Sequence, residues 1–73
     1  MNAQMLEATL KMHLAEIRER LDQAVGIAKA AEACANAGNI SKGIEIALDV
    51  EQLIYEVNTF LNAASMIHRI NNC

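Results

Sequence analysis

With 73 residues, a net charge of −3 and no run of Lys or Arg, the chain is one small domain with little to attract a nucleic-acid backbone. Its residues are 53% apolar yet include one Tyr, one Phe, no Trp, no proline and three glycines, which favours long aliphatic helices over a sheet with many turns. Two cysteines, Cys34 and Cys73, without a CxxC or a His/Cys cluster exclude a disulfide framework and a zinc pattern.

A chain this short buries only about 60% of the surface its unfolded form exposes. Small folds compensate with disulfides, metals, oligomerisation or very regular helix packing, and here oligomerisation is the main candidate. The first ten residues, MNAQMLEATL, lack a positive n-region and meet Glu7 early. No stretch approaches about 18 uncharged apolar residues. A reduced, cytoplasmic setting with free thiols is the expectation.

Helix 1 is expected over about residues 3–36. Spacings of four and three link Leu10, Leu14, Ile17, Leu21, Ala24, Ala28, Ala31 and Ala35 into one apolar seam. Glu7 with Lys11, and Glu16 with Arg20, have the favourable i, i+4 order and read as supports on the helix surface. The turn falls at 37–39 within Asn36-Ala37-Gly38-Asn39, where Gly38 suits a left-handed C′ position and Asn39 or Ser41 can cap a second helix. Helix 2 is expected over about 40–71, with a seam through Ile46, Val50, Leu53, Val57, Phe60, Ala64 and Ile67. Two seams beside one short turn predict an all-α, antiparallel two-helix hairpin occupying residues 1–73 as a single domain.

Folded at Gly38-Asn39, facing residues have numbers that add to about 77. Residues 24–38, AVGIAKAAEACANAG, hold seven alanines, and four of them occupy consecutive seam positions opposite Leu53, Val50, Ile46 and their neighbours. Small residues facing large ones let the helices approach without voids, whereas helix propensity alone would not place the alanines in register. Gly43 falls opposite Cys34, where close backbone approach accounts for it, and Cys34 itself reads as a small core residue.

Apolar residues remain beside the seams: Leu6, Val25, Ile27 and Cys34 on helix 1, and Ala47, Ile54, Leu61 and Ile70 on helix 2. A hairpin buries one stripe per helix, so Leu6, Val25, Ile27, Cys34, Ile54, Leu61 and Ile70 are candidate self-association residues, and the expected assembly is a homodimeric four-helix bundle. A different protein could cover the same stripe. Glu45, Asp49, Glu51 and Glu56 make the start of helix 2 acidic, which suits the helix dipole as a solvated face or a basic partner as a recognition surface. With Leu48 and Tyr55 they form the candidate partner-binding set. His13 and His68 lack further ligands at useful spacing, and Cys73 at the chain end could form an intermolecular disulfide in vitro. No Gly-rich phosphate loop, nucleophile elbow or paired-carboxylate pocket occurs, so neither catalysis nor a cofactor or metal is expected.

As a whole the chain is similar in design and length to two kinds of small helical hairpin. One is the plasmid RNA-binding Rop type, whose dimer is a four-helix bundle; this chain departs from it in being acidic, with no basic helix face. The other is the YscE and SsaE group of co-chaperones for type III secretion needle subunits. The segments LEATLKMHLAEI and EQLIYEVNTFLNAASMIHRINN resemble that group's first and second helices, and the resemblance carries no site residue over. The leading expectation is a non-enzymatic protein-binding adaptor or inhibitor acting as a homodimer that occludes another protein. The alternative is a secretion co-chaperone that pairs with a different chain, and the third is a nucleic-acid-binding regulator.

Overall fold

A computed structural model describes residues 3–71; the expectation for Cys73 lies outside them. The chain forms α1 (Ala3–Asn36), α2 (Ile40–Ala47) and α3 (Val50–Asn71), with α1 packed along both others in a helical hairpin. Contacts between residues 43 and 31, 56 and 20, and 60 and 13 run in antiparallel order and match the expected fold point.

The turn is built by two reciprocal caps. Gly38, at φ 98°, takes the left-handed conformation that a Cβ disfavours. Its N–H donates to the Ala35 carbonyl at 3.0 Å and the Asn39 N–H to the Cys34 carbonyl at 2.9 Å, the paired bonds of a Schellman motif. Asn39 then caps α2 by accepting from the Lys42 N–H at 3.0 Å. One helix therefore ends and the next begins within Ala37-Gly38-Asn39.

The expected continuous second helix is instead interrupted at Leu48-Asp49. There the Asp49 N–H donates to Ile46 and the Glu51 N–H to Leu48, both at 3.1 Å, so i→i−3 bonds replace the α-helical ladder for one turn. Neither Gly nor Pro marks the place in the sequence.

The α1 seam also requires correction. Leu14, Leu21 and Ala28 are exposed, and His13, Arg20 and Ile27 stand half-buried against the second arm in their stead. Leu10, Ile17, Ala24 and Ala31 keep their expected places. Phe60 supplies the reason, because its ring packs T-shaped against His13 at 5.6 Å between centroids and receives the Arg20 guanidinium at 4.6 Å. The Glu16–Arg20 pair is accordingly part of the seam rather than a surface support.

Burial is confined to Ala24, Ala31, Gly43 and Ala64 among the described residues, and no large side chain there is fully buried. The arms approach closely at Gly43, where an added Cβ would lie 2.8 Å from the Ala31 carbonyl oxygen and 3.4 Å from the Ala35 Cβ. By contrast, a Cβ on Gly26 would meet nothing within 4 Å. Gly26→Ala is expected to stabilise the chain by about 0.5–1 kcal/mol through helix propensity alone. Gly43→Ala gains the same propensity but overpacks a backbone contact at a cost of about 1–3 kcal/mol, so its melting temperature should fall. Thermal melts at matched concentration check the pair, and a rise for Gly43→Ala would contradict the close approach.

Candidate interaction surface

The two edges of the hairpin differ in chemistry. Along one edge Arg20 joins the arms, with its Nε 2.8 Å from a Glu56 oxygen and its NH1 on the Glu16 carboxylate. Gln52 completes the knot by donating to the other Glu56 oxygen at 2.9 Å. Hydrogen bonds that Arg20 donates to Glu16 first and Glu56 second push its pKa up, and those that Glu56 accepts from Gln52 and then Arg20 hold it below the ordinary glutamate range. His13 Nδ1 lies 2.8 Å from the Thr9 carbonyl, so that nitrogen carries the proton and donates.

The opposite edge is apolar. Replacing every second seam position by its successor turns a helical stripe by half of one residue's rotation, about 50°. On α1 that rotated stripe is Leu10, Leu14, Ile17, Leu21, Ala24, Ala28, Ala31 and Ala35. On the second arm it is Gly43, Ala47, Val50, Ile54, Val57, Leu61 and Ala64. Because the arms are antiparallel, the same rotation in chain direction turns both stripes to one side, away from Glu16 and Glu56. Leu14 is 59% exposed there, Leu21 43%, Ile54 43% and Leu61 49%. Together they form one continuous apolar edge.

The Leu48-Asp49 interruption opens a shallow groove on the same side, with a volume of about 460 Å³ and walls that include Ile44, Leu48, Val50 and Ile54. A second groove of about 300 Å³ lies at the open end between Leu6, Ile67 and Ile70.

The expected self-association residues are divided by this geometry. Val25, Ile54 and Leu61 face outward on or beside the apolar edge, whereas Leu6, Ile27 and Cys34 are half-buried within the hairpin and Ile70 is exposed at its open end. Leu14 and Leu21 belong to the outward surface although they were expected inside; their continuous spacing with Val25 was the available signal. The expected partner-binding residues are likewise not one patch. Tyr55 is exposed on α3 and Leu48 in the interruption before it, Glu45 pairs loosely with Lys42 at 3.6 Å, and Asp49 and Glu51 form no ion pair among the described residues. Glu56 is bound to Arg20 and Gln52. Among the described residues no three His, Cys, Asp or Glu side chains gather as a metal site would require. No described helix is long and apolar enough to cross a membrane.

No protein-family model matches this chain, and no curated protein or solved structure matches it significantly. Its surface chemistry is therefore the basis for a functional reading.

Because Glu56 is held ionised by the fold, its contribution is complete at neutral pH and is lost as pH falls through the ordinary glutamate range and below its depressed pKa. Arg20 stays charged throughout. The melting temperature of the native chain should therefore fall more steeply than that of Glu56→Gln below roughly pH 5. Parallel acid-side slopes in circular dichroism melts would show that the Arg20–Glu56 pair contributes nothing.

Proposed function

We propose that this chain is a non-enzymatic protein-binding module that works as a helical-hairpin homodimer and occludes a surface of another protein. The observation carrying this reading is the uncovered apolar edge of a hairpin that has almost no interior. Its accessible area is 5464 Å². A compact monomer of 8.0 kDa would expose about 4,450 Å². The excess of about 1,000 Å² is close to the roughly 800 Å² that each partner buries in a stable complex.

Covering the apolar edge with a second copy leaves Tyr55 on the outside, with Leu48 at the rim of the covered groove and Glu45 and Asp49 exposed nearby. An exposed aromatic near exposed carboxylates, of which Asp49 and Glu51 carry no ion pair among the described residues, suits a target that offers a basic surface with an apolar pocket. A co-chaperone reading uses the same edge differently, giving it to a different protein's helices. The two readings part on the state of the chain alone.

Light scattering on the reduced chain should give about twice the 8.0 kDa mass, with a cooperative melt. Leu21→Glu combined with Ile54→Glu places carboxylates on the apolar edge without altering the seam. This variant should weaken self-association by more than about 100-fold, since burying unpaired charge costs several kcal/mol. A native chain that stays monomeric and melts broadly would remove the homodimer and favour pairing with a different protein.

A further inference from the structure

We infer that two hairpins join through their apolar edges with their turns at opposite ends, so that α1 lies against α1 of the other copy. The inference rests on the homodimer reading and fixes its arrangement. Three observations support it.

The first is the direction of the stripe. In a square array of four helices the central axis lies about 45° from the line joining neighbours. The apolar stripes of both arms are turned by about 50° from the hairpin seam, and to the same side. Each helix thus presents its apolar residues to the centre of a four-membered bundle, not to its hairpin neighbour.

The second is a gradient of side-chain size along that stripe. On α1 it runs Leu10, Leu14, Ile17 and Leu21 from the open end, then Ala24, Ala28, Ala31 and Ala35 to the turn. The second arm tapers likewise from Leu61, Val57, Ile54 and Val50 to Ala47 and Gly43, with Ala64 the small residue in its large half. If both turns lay at one end, the layers nearest the turns would hold Ala31, Ala35, Ala47 and Gly43 from each copy, while the other end would be crowded with leucine. Helix axes 8–10 Å apart could not remain so along such a wedge. Reversing one hairpin pairs large with small. With the two-fold axis near Leu21, close to the middle of α1, Leu14 meets Ala28 of the other copy and Ile17 meets the level of Ala24.

The third is what else falls into register. Leu61 of one copy comes level with the groove bounded by Ile44, Leu48 and Ile54 of the other, an apolar side chain for an apolar hollow. At the rim, Lys11 comes within one turn of Glu32 of the other copy. With the turns together, Lys11 would instead lie near Ser65, and Val25 near Glu51.

The arrangement is tested by the distance between spin labels at Ser41→Cys, beside the turn, in a chain carrying Cys34→Ala and Cys73→Ser. With the axis at the level of Leu21, Ser41 lies on the order of 14 residues from it along the hairpin, so opposed turns place the two labels roughly 40–45 Å apart at about 1.5 Å per residue. Adjacent turns would place them about 20 Å apart, the span of two helix diameters, and would overturn the arrangement while leaving the homodimer intact. A labelled and unlabelled chain that is monomeric by light scattering would overturn both. Amine cross-linking of the unaltered chain, with isotope-mixed copies, provides a second measurement free of substitutions. Links between Lys11 of one copy and Lys29 of the other are expected, and abundant Lys42-to-Lys42 links would contradict opposed turns.

Discussion

Two helices touch along a line, and a line of contact cannot enclose a side chain. That geometric constraint governs this molecule. The hairpin measures 55 × 15 × 12 Å with a radius of gyration of 16.8 Å. A globular chain of this length would have about 11 Å. Full burial is therefore available only where side chains are small enough to vanish between the arms, as Ala24, Ala31, Gly43 and Ala64 do. Leucine and isoleucine project past the contact line whichever way the helices rotate. They need a third and fourth helix before they can leave water.

The contact line, freed from enclosing leucines, accommodates polar groups. Arg20 keeps 22% of its side chain exposed, so its guanidinium reaches Glu16, Glu56 and the Phe60 face without full desolvation. A fully buried ion pair is often no better than an apolar replacement, but this one stays partly hydrated and satisfies several partners at once. It also distinguishes one alignment of the arms. Sliding α3 by one turn would separate Glu56 from Arg20 and Phe60 from His13 together, whereas alanines sliding past aliphatic residues lose little. Register in this hairpin thus comes from the polar knot near the middle of the seam and from Gly43 beside the turn.

The turn was legible in the sequence because each of its residues has a local job. Gly38 is at positive φ, Asn39 is the cap, and α1 ends at Asn36. Gly43 was legible for the same reason, since a glycine inside a helical pattern needs a close neighbour to account for it. The Leu48-Asp49 interruption had no such marker, because ordinary residues adopt its right-handed turn conformation without strain. At the candidate surface, Val25, Ile54 and Leu61 were legible as residues that the seam could not absorb. Leu14 and Leu21 were assigned to the wrong side. The commitment of Glu56 to Arg20 depends on a neighbour 36 positions away, which no local pattern reveals.

The error in the α1 seam has a physical meaning. Apolar periodicity records which face of a helix is dry in the finished protein, summed over all its neighbours. Pairwise packing records which face meets the nearest helix. For an isolated two-helix protein the two directions must coincide, since there is nothing else to exclude water. Here they share Leu10, Ile17, Ala24 and Ala31 but part at each intervening position, where the sequence places Leu14, Leu21 and Ala28 and the hairpin uses His13, Arg20 and Ile27. A helix selected only to pair with its neighbour would have no reason to put leucine on the water side of an arginine. The mismatch makes sense when the dry direction lies between two neighbours, one within the chain and one beyond it.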